Sequence, residues 1–352
     1  MPGRYSGITW LMAVLGAAVM VISIWGCAAG QRPPESGNTP AVSQEGKDDR
    51  LLVVTTIFPY YDFVRQIAGD RVKLKLVVPA GMDSHSFEPT PADMIAMQEA
   101  DVLVCNGGEM EQWVKKVLGS LDTSHMKVLT MMDYVDVVEE EHVEGMEEEH
   151  RHEDSYGDSH ENSHGDSHED DGHEMHIEYD EHIWTSPVNA QAIVKIISQA
   201  LTEAAPQEKS RFEANTQAYL KELKDLDSQF RQVVKQGRLH MIVVADKFPF
   251  RYFADEYGLS YRAAFSGCSG DTEPSARTIA YLIDKVKEDR IPAVYYLELS
   301  SHRTAQIIQE ETGAVPLLLH SCHNVTRKQF DEGVTYLQLM RQNVENLRYG
   351  LE

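Results

Sequence analysis

Between Arg211 and Gln236 the residues Phe212, Thr216, Tyr219, Leu223, Leu226, Phe230 and Val233 recur at alternating steps of four and three, opposite a charged face. That period predicts one amphipathic helix. At about 26 residues it exceeds the usual globular length, so it reads as a strut between two bodies. On both sides of it, short apolar runs alternate with amphipathic segments. Before it, strands are predicted at Leu51–Ile57, Val72–Val78, Val102–Cys105 and Val128–Leu129, with helices at Tyr60–Ala68 and Pro91–Glu99. After Gly237, strands are predicted at Met241–Ala245, Leu259–Ala264, Ala293–Leu299 and Val315–Leu319. Helices at Phe250–Tyr257, Pro274–Lys287 and Ala305–Glu311 fall between them, and a final helix ends the chain. Strand-helix alternation implies parallel sheets. The expected fold class is therefore α/β, with two parallel-sheet lobes joined by one long helix and a ligand site in the cleft between them.

The chain carries 56 acidic and 32 basic residues, a net charge of -24, which argues against a nucleic-acid partner. Between Glu139 and Glu181, 43 residues include 19 acids and one base, so -18 of that charge sits in one stretch. Eight of the 15 histidines lie there: His142, His150, His152, His160, His164, His168, His173 and His176. The segment 139–181 is expected to be a disordered loop that binds several metal ions weakly through imidazole and carboxylate. Within it, His160-Glu161-Asn162-Ser163-His164 formally matches a zinc-protease pattern. That chemistry needs a stable helix, which a like-charged tract rich in Gly, Ser and Asp does not form.

Residues 1–26 read as an export signal: Arg4, an apolar run from Ile8 to Trp25, then Gly26 before Cys27. Ile24-Trp25-Gly26-Cys27 resembles a lipobox, which makes Cys27 the expected lipidation site. A single membrane-spanning anchor is the alternative, and both place the remainder outside the cytoplasmic membrane. Residues 27–49 form a flexible tether rich in Gln, Pro, Ser and Gly. A first lobe over 50–205, a linking helix over 206–237 and a second lobe over 238–352 follow. Outside the cell a disulfide is permitted, and Cys268 with Cys322 is the preferred pair because both fall in polar loops. Cys105 follows an apolar run and is expected to be a buried thiol.

Two further motifs carry chemistry. Gly81-Met82-Asp83-Ser84-His85-Ser86-Phe87-Glu88-Pro89-Thr90-Pro91 lies between a strand and a helix, placing His85 at the carboxyl end of a sheet, where open α/β sheets hold ligands. Asp180-Glu181-His182-Ile183-Trp184-Thr185-Ser186-Pro187 marks the end of the acidic run. Together these resemble the zinc and manganese substrate-binding lipoproteins of bacterial ABC transporters, over a match from about Leu51 to the C-terminus. The resemblance implies one divalent metal in the cleft, held by His85 and His182 from the first lobe, and delivery to a membrane permease by a protein with no catalytic role. A lipid-anchored monomer is expected.

In the second lobe the pattern departs. Where the resemblance implies a His or Glu ligand this chain has Lys247, whose charge is wrong beside a dication, and Lys247 is expected to turn away toward Asp246 or Asp255. In Leu319-His320-Ser321-Cys322-His323-Asn324, alignment places His320 at the remaining ligand position, with His323 as the near alternative. Glu298 is a possible carboxylate ligand or a structural partner. Histidine dominance favours Zn2+ over Mn2+. The rival readings are a manganese-binding homologue, an adhesin or metal buffer, and a zinc-dependent hydrolase, which would need an open coordination position and a general base.

Overall fold

In the first of two sheets, the apolar, β-branched runs of the two central strands become short, buried parallel strands, flanked by half-buried outer ones. The computed structural model describes residues 48–84, 86–147, 178–269 and 273–352, and Asp49–Glu352 form one compact unit. The export signal, most of the tether, Cys27, His85 and the histidines from His150 to His176 lie outside the described residues. Among those described, no helix is long and apolar enough to cross a membrane.

The first sheet comprises β1 (Leu52–Thr55), β2 (Lys73–Leu76), β3 (Val102–Cys105) and β4 (Lys127–Thr130), in the order β2-β1-β3-β4, all parallel. Helices α1 (Phe58–Ala68), α2 (Pro91–Gln98), α3 (Gln112–Leu118) and α4 (Pro187–Ala204) accompany it. Local signals set the ends: Pro91 opens α2 behind a Thr90–Asp93 capping box, and Pro187 opens α4 behind Ser186, whose hydroxyl accepts from two amides. The predicted strut is α5 (Lys209–Gln236), 28 residues long, and all seven residues of the predicted stripe are buried. It packs against α1 and α4 on one side.

The second sheet repeats the plan with β5 (Met241–Lys247), β6 (Ser260–Phe265), β7 (Ala293–Tyr296) and β8 (Val315–Leu318), ordered β6-β5-β7-β8 and again parallel. Helices α6 (Arg251–Tyr257), α7 (Ala276–Glu288), α8 (Arg303–Thr312), α9 (Arg327–Asp331) and α10 (Tyr336–Leu351) complete it. The final helix α10 returns to α5. The two lobes are pinned together behind the cleft. Asp62 of α1, fully buried, accepts from the Tyr336 amide at 2.7 Å and from Arg65 and Gln66. The Tyr336 hydroxyl donates to the Trp184 carbonyl at 2.8 Å.

Two expectations are corrected. Residues 139–147 are not a free loop. Glu139 bridges Tyr179 antiparallel, and this strap then crosses to the second lobe, where the Glu147 amide donates to Ala264 of β6 at 3.0 Å. Arg251 and Tyr261 hold Glu141, Glu140 accepts from the Cys268 amide, and Val143 and Met146 pack on the core. Those two apolar side chains, with specific partners for the acids, offset the cost of ordering the segment. His142 is exposed. The second correction is the disulfide: Cys105, Cys268 and Cys322 are all free thiols, Cys322 being fully buried with φ of 60° rather than in an open polar loop.

The strap gives a first prediction. Replacing residues 148–177 by a short Gly-Ser linker should leave thermal stability nearly unchanged. Deleting Glu139–Tyr179 removes several cross-lobe hydrogen bonds of about 1 kcal/mol each and should lower the melting temperature by roughly 4–10 °C. Equal melting temperatures in differential scanning calorimetry would show that the strap adds nothing.

Candidate metal centre

The chain leaving the strap makes a short 3-10 turn over Ile183–Thr185, stopped by the Ser186 cap of α4. This places His182 at the edge of the first lobe. Its amide donates to Asp180 Oδ1 at 2.8 Å, and its Nδ1 lies 3.3 Å from the same oxygen. A carboxylate at Nδ1 makes that nitrogen the proton-bearing one and turns Nε2 into the metal-binding face. Tyr252 of α6 donates to the Asp180 carbonyl at 2.6 Å, so a second-lobe hydroxyl steadies the segment. Gly267 also closes on it: a Cβ there would lie 3.1 Å from Asp180 Oδ2, 3.3 Å from His182 Cε1 and 2.9 Å from the Phe248 carbonyl oxygen, so a side chain would force the cleft apart.

From the second lobe comes His323. Its ring centre is 5.8 Å from that of His182, with the planes at 84°, and Trp184 packs against both rings. Two imidazoles sharing a tetrahedral zinc through nitrogens about 2.0–2.1 Å from it have ring centres about 5 Å apart. The pair therefore fits a shared ion with a small adjustment. Ser84, the chain neighbour of His85, places its hydroxyl 2.6 Å from His323 Nε2. Among the described residues no group of three or more His, Cys, Asp or Glu side chains gathers closely enough to hold a metal on its own.

His320 is not among the residues that line this cleft, and among the described residues its buried Nε2 has no hydrogen-bond partner. Its Nδ1 accepts from the Cys322 amide at 3.0 Å, while its amide and carbonyl are both clamped by Asn343 of α10 at 2.8 Å. Burial holds its pKa below the ordinary histidine value, with Glu298 opposing, so it stays neutral. The positive φ of Cys322 turns the chain between the two histidines and exchanges which one meets the cleft. Glu298 lines the cleft, but its carboxylate accepts from the Ser321 amide at 2.8 Å and from the Ser321 hydroxyl, bracing the His323 loop. Lys247 does not turn away as expected. It lines the cleft, while Asp246 accepts from the Leu297 amide and Asp255 pairs with Arg251.

Behind His182 lies a network that the sequence did not signal. The Glu181 carboxylate accepts from the Glu109 and Met110 amides, and Glu111 accepts from the Asn106 and Gly107 amides. Burial pushes each carboxyl up to about 7 against those amides. Gly108, with φ of 78°, is the residue that fits, because a Cβ there would run into the Glu181 carboxylate.

For His182, burial acts to lower the pKa, but Asp180, helped by Glu181 and Glu140, outweighs it and the net shift is upward. The apo fold therefore gains stability from protonated His182 below pH about 6.5 and loses it as pH rises through the higher folded value. Metal binding runs the other way, because coordination needs the neutral ring. Near neutral pH zinc should displace protons, measurable by calorimetry in buffers of different ionisation enthalpy. Asp180→Ala should reduce that proton release and weaken zinc by roughly 10–100-fold. Unchanged release and affinity would remove Asp180 from the site.

Two α/β lobes braced by one long helix, with a histidine-lined cleft between them, are the architecture of a helix-linked solute-binding protein. The family model described as zinc-uptake complex component A, periplasmic, matches residues 53–350, and the chain belongs to that family. It is 33% identical over 312 residues to the high-affinity zinc uptake system protein ZnuA of Bacillus subtilis, covering 88% of this chain and 90% of that one. It is 32% identical to the zinc-binding lipoprotein AdcA of Streptococcus pneumoniae over 87% of this chain, which spans only 57% of AdcA. Among solved structures, the metal-dependent lipoprotein YcdH of Bacillus subtilis superposes with a TM-score of 0.68 at 29% identity, over 86% of this chain and 99% of that one. The Zn(II)-bound ZnuA-like domain of AdcA gives 0.67 at 29% identity, with the same coverage.

Proposed function

We propose that this protein captures one zinc ion outside the cytoplasmic membrane and presents it to an ABC-type permease. The observation that carries the reading is the His182–His323 pair, one imidazole from each lobe, at a separation suited to a shared tetrahedral ion. His85 is the proposed third ligand, since its neighbour Ser84 touches His323. Nitrogen ligands favour zinc over manganese, which would want more carboxylate. Membership of a zinc-uptake family supports the same metal and a transport role. Export by residues 1–26, lipidation at Cys27 and a monomeric state complete the proposal. The histidines between His150 and His176 are proposed to act as an auxiliary collector.

Isothermal titration of the apo protein should show one tight zinc event, with weaker events that vanish when residues 148–177 are replaced. Anomalous scattering at the zinc edge should then place the tight ion between His182 and His323. An ion found elsewhere, or tight binding of manganese in preference to zinc, would overturn the reading.

A further inference from the structure

Lys247 occupies a place that strand geometry has made for it. Val244 pairs with Ala263, but Lys247 pairs with Phe265, so three steps along β5 match two along β6. One extra residue in a strand is a bulge, a device that re-aims side chains where a sheet meets a site. Here it sends Asp246 to the Leu297 amide and leaves Lys247 half-buried in the wall of the cleft that also holds His182 and His323. Asp246, Asp255 and Glu298 each have other partners, and among the described residues no carboxylate pairs with Lys247. Among the described residues, Asp83 and Glu273 are the other acids lining the cleft, and both are exposed.

The cavity has a volume of about 270 Å³, many times the roughly 10–15 Å³ that one water molecule needs. It has room for a small anion beside an ion. Neutral imidazoles do not compensate a dication, and a nearby ammonium adds charge of the same sign. An anion seated between the two would reverse that sign, supply an oxygen ligand to a tetrahedral zinc and form a charge-assisted hydrogen bond to Nζ. We infer that the cleft takes its zinc together with a small carboxylate or carbonate anion, which bridges the ion and Lys247. This rests on the zinc-capture reading and specifies what is captured.

The test is competition for zinc against a chelator at fixed pH and ionic strength, with perchlorate as the inert salt, then with acetate or bicarbonate replacing part of it. The full chain should bind zinc at least about tenfold more tightly when either anion is present. With Lys247→Gln that dependence should vanish, and in perchlorate alone the variant should bind zinc more tightly than the parent. Carbon-13 acetate should give a bound resonance with the parent protein only when zinc is present. Lys247→Met provides a second, uncharged variant should the first fold poorly. Zinc affinity of the parent that ignores both anions, or an anion effect that survives in both variants, would overturn the inference. Failure of the parent to bind zinc under any condition would instead overturn the zinc-capture reading.

Discussion

Replacing His182 or His323 by alanine is expected to weaken zinc binding by roughly 100-fold or more, about 2.7 kcal/mol, while His320→Ala costs less than tenfold. His182 and His323 meet in the cleft, whereas His320 is not among the residues lining it and its Nδ1 accepts from the Cys322 amide. Loss of His320 should show itself in folding. The Cys322 amide would lose its acceptor in a buried position, costing about 1–3 kcal/mol. Cys322 already carries a left-handed backbone that must be held in place by its surroundings. Chelator competition gives the first quantity and urea denaturation of the apo protein the second. A larger loss of affinity at His320 than at His323 would mean that the ligand assignment is reversed.

The second large effect is expected far from the metal. Asp62→Ala should cost about 3–5 kcal/mol, the range for removing one partner of a buried charged network. It strips the acceptor from the Tyr336 amide at the start of α10 and the partner from Arg65. Asp62→Asn keeps an oxygen for that amide and should cost distinctly less. Because α1 and α10 belong to different lobes, the loss should appear as a lower urea midpoint for the whole unit, monitored through Trp184. A loss of under about 1 kcal/mol would show that the aromatic packing of Phe63 against Tyr219 and Tyr336 carries the joint alone.

Much of this architecture was legible in the chain because it rests on period. The four-three stripe of α5 and the apolar runs of β1, β3, β5 and β7 are local, repetitive signals, and each element formed where the pattern placed it. His182 was legible because a motif and a helix cap frame it. Which of His320 and His323 lines the cleft was not, since it depends on one left-handed residue and on Asn343, distant in sequence. The aim of Lys247 depends on a bulge that leaves no compositional trace. In the strap, the net charge of the tract masks Val143 and Met146, the two apolar residues by which it packs on the core.

The strap also bears on how the protein behaves at high concentration. Strand β6 is the outer strand of its sheet, and an outer strand offers unpaired amides and carbonyls to any passing extended chain. Glu147 takes the Ala264 carbonyl for itself, and Glu141 and Glu144 line the same margin in contact with Arg251 and Arg262. One carbonyl of that margin is thus taken by the protein's own backbone, and the strap lies beside it, which discourages strand-to-strand recruitment between copies. Proteolytic nicking at the base of the acidic segment would uncover it, so clipped molecules should be the ones that self-associate.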